Sequence, residues 1–198
     1  GRELLKEADA KITEITCHGA GASYLAPGCD TVIDIGGQDC KVITLDSHGQ
    51  VNDFLMNDKC AAGTGRFMEM IMARVGSDIS HLDEFVHGCR PVPINSMCAV
   101  FAESEIVGLM AQETPPGDIV LGCVHSICHR TAIFAQRLTG GHPDIFFSGG
   151  LAQSEVMRSV LGEYMKTSHI TTHPLSQYTG AIGAAVLGYG KLKKRSRS

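Results

Sequence analysis

Polar and apolar positions change their period along this chain. Three short segments come first: "TVIDI" (31–35), "KVITL" (41–45) and "VNDFLM" (51–56). Each is apolar or alternating, so each is predicted to be a strand. Only "GGQDC" separates the first two, and "DSHGQ" the second and third. A parallel crossover needs about a dozen residues or more, so these neighbours are antiparallel. The expectation is a three-stranded meander with a Gly-Gly corner.

Beyond Asn57 the apolar spacing lengthens to that of a helix. Phe67, Met68, Ile71, Met72 and Val75 share one stripe. "SDISHLDEFVHG" predicts a short second helix opened by a Ser or Asp cap. The prolines of "RPVPINSM" favour extended chain, and "CAVFAESEIVGLMAQE" predicts another helix. "TPPGD" ends that helix, and "IVLGCVHSICHRTAIFAQRL" reads as a long, largely buried one. A strand, "DIFFSGG", then ends in a second glycine pair. "LAQSEVMRSVLGEYM" is predicted helical, "HITTHP" extended, and "GAIGAAVLGYGKL" a closing helix with a small-residue face. At the start, Leu4, Leu5, Ala8 and Ile12 share one side, predicting a helix over residues 3–16. The stretch "CHGAGASYLAPGCD" reads as a loop with at most a short helix. The class is α/β, with no internal repeat.

Composition narrows the functional classes. The chain has 198 residues, 43% hydrophobic and 19% charged, as expected of a globular domain. Its formal net charge is −4, so no global basic field attracts nucleic acid. The basic tail "KLKKRSRS" reads as a solvated end. No apolar run reaches about 18 residues, so no membrane helix is expected. "GRELLKEADAK" lacks the layout of a secretory leader, and the expected location is the cytoplasm. In that compartment the 8 cysteines are thiols, metal ligands or redox groups. There is no paired CxxC and no CxxCH to mark a zinc ribbon or a haem. Cys123, Cys128, His125 and His129 share one apolar helical run, at a spacing that suits a shared metal poorly.

Two strands end in glycine pairs, "DIGGQD" (34–39) and "FSGG" (147–150). A glycine pair lets the backbone approach a phosphate or a base and turns N–H groups toward an anion. It equally makes a plain tight turn. Asp34 on the first strand and Gln38 after it favour the nucleotide reading. A carboxylate there orients a Mg²⁺-bound water, and an amide reaches a γ-phosphate or the attacking water. The pattern is neither a Walker A loop nor GxGxxG. In "NDKCAAGTGRF" Cys60 stands ahead of a glycine-rich turn and a helix. Cys98 holds a similar place before "AVFAESEIVGLM". Helix N-termini stabilise thiolate or an anionic iron–sulfide cluster, and Lys59 adds positive charge. The plain alternative is a pair of half-buried small hydrophobes. A 4Fe–4S cluster usually takes four cysteines, so two would need another pair or a twofold axis.

Taken together, "DIGGQD", "NDKCAAGTGRF", "CAVFAESE", "SGGLAQ" and "PLSQYTGAIGAA" resemble the ATPase activators of 2-hydroxyacyl-CoA dehydratases and the ATP-hydrolysing subunits of benzoyl-CoA reductases. The resemblance implies the actin-like/sugar-kinase ATPase fold. It implies a dimer of identical or homologous subunits sharing one 4Fe–4S cluster, two cysteines from each, with Cys60 and Cys98 on the ligand positions. Hydrolysis of Mg²⁺-bound ATP to ADP would then drive one electron, supplied by a ferredoxin or flavodoxin, into the dehydratase or reductase partner. Gly36, Gly37 and Gln38 match the second phosphate motif, with Asp34 beside Mg²⁺. Glu69 falls where the family keeps a carboxylate near the nucleotide. Gly149 and Gly150 match the adenosine-side glycines, and Gln177 a polar residue of the same pocket. Without the resemblance, Glu69 reads as an ion-pair partner of Arg66 and Gln177 as a cap of the last helix.

Proteins of that fold open with an Asp-x-Gly-Ser/Thr phosphate loop, a motif this sequence lacks. The resemblance therefore implies mainly the second lobe, with the N-terminal phosphate-loop lobe missing, and weak binding and poor hydrolysis of ATP by this polypeptide alone. The expected division is a first-lobe remnant and connection (1–30), the second ATPase lobe with the cluster-bearing helices (31–176), and a closing helix with a basic tail (177–198). A kinase-like or actin-like nucleotide domain without a cluster is the competing expectation. A third is an assembly module that pairs through the Cys60 and Cys98 helices.

Overall fold

The computed structural model describes residues 10–57, 64–95, 99–141 and 143–195. A five-stranded sheet lies at its centre. Strands β1 (Thr31–Ile35), β2 (Cys40–Leu45) and β3 (Val51–Asn57) form the expected antiparallel meander. Strands β4 (Ile145–Gly149) and β5 (Ile170–Thr171) extend it in parallel, giving the order β3-β2-β1-β4-β5. Asp46 closes the β2–β3 turn. Its N–H donates to the Gln50 carbonyl at 2.9 Å, and its side chain accepts from the His48 and Gln50 amides at 2.8 and 2.9 Å.

Strand alternation divides the core in two. Ile33, Ile35, Val42, Ile145 and Phe147 face helices α2 (Gly65–Arg74), α4 (Ala99–Ala111), α5 (Pro116–Ala135) and α6 (Glu155–Met165). Phe67, Met68, Ile71 and Met72 supply the buried stripe of α2, as their spacing predicts. A one-turn helix, α3 (Leu82–Phe85), follows a 3-10 turn capped by Asp78. Its Asp83 accepts the Ser154 hydroxyl and the Glu155 and Val156 amides at 2.5, 2.8 and 3.1 Å, satisfying the first turn of α6.

On the other face, Val32, Ile43, Leu45 and Phe146 pack under Ala22 of helix α1 (Glu14–Leu25). This helix corrects the periodicity reading. Residues 10–13 are not helical, residues 3–9 lie outside the described region, and most of the stretch read as a loop is helix. Thr13 caps it, its hydroxyl accepting the Thr16 amide at 3.1 Å. Glycine disfavours a helix by about 1 kcal/mol relative to alanine. Here the small residues are required, because the closing helix α7 (Thr179–Arg195) lies directly on them. A Cβ on Gly183 would stand 1.7 Å from the Cys17 carbonyl oxygen, and one on Gly21 would stand 2.0 Å from that of Thr179. The small-residue face expected of the last helix is half of this crossing.

Candidate functional site

Parallel pairing of β1 with β4 sets Ile35 opposite Gly149. The two glycine pairs that follow these strands therefore open side by side, at the carboxyl ends where open α/β sheets bind ligands. Gly149 has φ +95°, and a Cβ there would stand 2.1 Å from the Ile35 carbonyl oxygen. Only glycine brings the two strand ends this close. At the first corner the Gly36 amide donates to the Asp39 carbonyl at 2.9 Å. A Cβ on Gly36 would meet Asp39 Oδ1 at 2.4 Å. Gly37, Gln38 and Gly150 are exposed at this edge. Gln177 is also exposed, on the 3-10 turn Ser176–Tyr178, which packs against β4. Gln153, just after the second glycine pair, holds that turn by donating to the His173 carbonyl at 2.7 Å and the Ser176 hydroxyl at 3.0 Å.

Asp34 is buried beneath the first corner and fixed at both oxygens. Oδ1 accepts the Ser148 hydroxyl of β4 at 2.6 Å, and Oδ2 takes the Lys41 ammonium of β2 at 3.3 Å. Lys41 Nζ also meets Asp39 at 2.8 Å and Glu14 of α1 at 3.1 Å. Burial alone would favour neutral lysine. Asp34, Asp39 and Glu14 outweigh it and hold the Lys41 pKa above its ordinary range. His18 of α1 completes the group, with Nδ1 3.6 Å from Asp34 Oδ1 and Nε2 3.7 Å from Glu14 Oε1. Glu14, His18, Lys41 and Ser148 were not singled out by sequence reasoning. A lysine at a strand start reads as a solvent-facing residue, and its burial follows from a register the sequence does not print.

The same corner binds helix α2. The Gly36 carbonyl accepts the Gly65 amide at 2.8 Å, and the Gly37 carbonyl accepts the Arg66 amide at 3.0 Å. Asn57, the end of β3, pairs with Cys40 at the start of β2. Both ends of the segment carrying Cys60 are thus anchored at residues 36–40. Cys60 and Cys98 themselves lie outside the described residues. The helices they precede begin at Gly65 and Ala99. Arg74 in the last turn of α2 pairs with Glu103 of α4. Glu105 accepts the Asn95 amide at 3.0 Å, holding α4 to the segment that leads to Cys98. Glu69 is exposed on α2 and pairs with Arg66 at 3.4 Å.

The six described cysteines form no metal cluster, and among the described residues no group of three or more His, Cys, Asp or Glu could hold a metal ion. Burial pushes the Cys40 and Cys123 thiols up to about 12 and raises Cys128 as well. His125 Nδ1 lies 3.2 Å from the Tyr164 hydroxyl, and His129 stacks obliquely on the same ring. Cys40, Cys123 and Cys128 are expected to resist iodoacetamide in the native protein at pH 8, as read by peptide mass spectrometry. Below about pH 8.5 folded and unfolded chains both keep these protons. Above it the unfolded chain releases them first, so native stability falls as pH rises from there toward 12.

Residues 1–188 match the BadF/BadG/BcrA/BcrD ATPase family. The chain is 42% identical over 196 residues to the (R)-2-hydroxyglutaryl-CoA dehydratase activating ATPase of Acidaminococcus fermentans, covering 98% of this chain and 74% of that protein. The solved activator of the 2-hydroxyisocaproyl-CoA dehydratase from Clostridium difficile, with bound ADPNP, superposes with a TM-score of 0.92 at 36% identity, covering 100% of this chain and 73% of that one. Xylulose kinase from Bifidobacterium adolescentis matches with a TM-score of 0.55 at 15% identity, over 87% of this chain and 38% of that one, a likeness of fold alone. The expected actin-like/sugar-kinase ATPase fold is thereby found.

Proposed function

The chain belongs to the BadF/BadG/BcrA/BcrD ATPase family, and from that premise we propose that it works as the ATPase of an electron-donating activator of a CoA-ester dehydratase or reductase. Its relatives include activators of such dehydratases and a benzoyl-CoA reductase subunit. The observation that carries the reading is the shared corner: the Gly36 and Gly37 carbonyls receive the first amides of α2, the helix that follows Cys60. A change at the phosphate-facing corner is in this way a change at the root of the cysteine-bearing segment.

The described residues fit a magnesium nucleotide. Two glycine pairs leave room for phosphate and adenosine at adjacent strand ends. In this reading Gly36, Gly37 and Gln38 receive the phosphates, and Gln38 orients the attacking water. Asp34, fixed at both oxygens by Ser148 and Lys41, accepts hydrogen bonds from the water shell of Mg²⁺. Gly149, Gly150 and Gln177 line the adenosine side, and Glu69 stands over the nucleotide from α2. Cys60 and Cys98 of each of two subunits would hold one 4Fe–4S cluster, which supplies a low-potential one-electron store. ATP and ADP bind two arrangements of corner and α2 with different affinity, and that difference moves the helices. The Arg74–Glu103 pair carries the movement from α2 to α4. A cytoplasmic dimer, recharged by a ferredoxin or flavodoxin, completes the proposal.

Anaerobic purification tests it. The protein is expected to be brown and to hold about four irons per dimer, and replacing Cys60 or Cys98 with serine should remove both colour and iron. Colourless, iron-free protein that still binds MgADP would leave the kinase-like reading. A double serine variant that still activates its partner would leave the assembly-module reading.

A further inference from the structure

On the α1 face of the sheet the core is apolar at the base, with Val32, Ile43, Leu45 and Phe146. Toward the carboxyl end of β1 the same face turns ionic. Asp34 continues the Val32 row, Lys41 the Ile43 row and Ser148 the Phe146 row. Lys41 is opposite Asp34 in the β1–β2 register, and its side chain is only 3% exposed. Replacing a buried ion group by packed hydrophobics is often neutral or stabilising, so a fold does not need such a group for stability. Its place directly beneath the glycine corner gives it another use.

We propose that Lys41 is a positioning residue for the nucleotide corner. Its ammonium holds Asp34 in one rotamer and draws Asp39 back against Gly36. Through Glu14 it fastens the first turn of α1 to the same point. Three arms from one nitrogen, at 2.8, 3.1 and 3.3 Å, join β1, the corner and α1. With Oδ2 committed to Lys41, and Oδ1 to Ser148 with His18 Nδ1 3.6 Å from it, Asp34 is held in one orientation beneath the corner. Asp39, drawn back, gives its carbonyl to the Gly36 amide and closes the turn that presents Gln38. The inference deepens the nucleotide reading above and rests on it.

Lys41→Met and Asp39→Asn test it through two measurements. One is amide hydrogen exchange without nucleotide. The other is binding of Mn²⁺ with ADP, followed by electron paramagnetic resonance. Lys41→Met is expected to speed exchange at Gly36, Gly65 and Arg66 by about tenfold or more while leaving Phe147 in β4 unchanged, which marks local rather than global opening. It should also weaken Mn²⁺·ADP binding by about tenfold, because Asp34 and Asp39 lose the ammonium that holds them in place. Asp39→Asn keeps the shape and the fold, so it should speed Gly36 exchange several-fold even where Lys41→Met fails to fold. Wild-type exchange at Gly36 in a folded variant overturns the proposal. So does faster exchange throughout, Phe147 included, or local loosening with undiminished Mn²⁺·ADP affinity. Wild-type protein that ignores Mn²⁺·ADP would defeat the nucleotide reading instead, and the exchange arm would still measure the hold of Lys41 on the corner.

Discussion

Gly183→Ala is expected to part helices α1 and α7. The added methyl would stand 1.7 Å from the Cys17 carbonyl oxygen and 2.7 Å from the Gly21 nitrogen. Both obstacles are backbone, so no rotamer change relieves them. The helices must separate by more than an ångström, which opens the crossing that joins α1 to α7. Overpacking commonly costs about 1–3 kcal/mol, and a backbone-on-backbone clash belongs at the upper end. For a chain of this size that is a fall in Tm of about 6–12 °C, read by calorimetry. Gly188→Ala is the matched control. It lies on the same helix, nothing stands within 4 Å of its Cβ position, and helix propensity predicts a small gain. Equal Tm values for the two variants would mean that the helices do not cross at Gly183.

The second large effect is at Gly149, where conformation and space act together. Its φ of +95° is unfavourable for any residue with a Cβ, and that Cβ would stand 2.1 Å from the Ile35 carbonyl oxygen and 2.6 Å from its carbon. Left-handed backbone costs about 1–2 kcal/mol by itself, and the clash adds to it by pushing β4 away from β1. Those strand ends present both glycine pairs and the Ser148–Asp34 hydrogen bond. Gly149→Ala is therefore expected to lower Tm and to abolish calorimetrically detectable MgADP binding. Gly150→Ala has an open Cβ position and should keep the wild-type Tm, so any loss of nucleotide there reports the ligand surface alone. A Gly149→Ala protein with normal Tm and normal MgADP affinity would contradict the strand-end geometry.

Some of this was readable from local pattern. Five-residue links force β1–β3 into a meander, and the stripe from Phe67 to Met72 sets the buried face of α2; the "TPPGD" stretch read as a break instead holds the first turn of α5, which begins at Pro116. The glycine pairs were visible as motifs, but their adjacency was not. It depends on β4, more than a hundred residues after β1, pairing in parallel beside it. Helix α1 differs from its sequence expectation for a related reason. Its glycines are poor helix formers taken alone, and they make sense only against α7, which arrives at residue 179. The ionic group around Lys41 was hidden in the same way, since Glu14, Asp34 and Ser148 come from three distant elements. Cys60 and Cys98 lie outside the described residues, so their pairing stands on the sequence resemblance and on the iron measurement.

The anchoring of residues 58–64 between Asn57 and Gly65 also bears on how this chain tolerates change in length. Its two stems, at Asn57 and Gly65, meet at one turn of the sheet, so the chain between them closes a ring whose entropy depends on its length. Doubling such a ring adds only about 0.6 kcal/mol of closure entropy. Extra residues spliced between the stems should therefore leave the rest of the domain folded, whereas a single residue added between Gly36 and Cys40 would shift both stems at once.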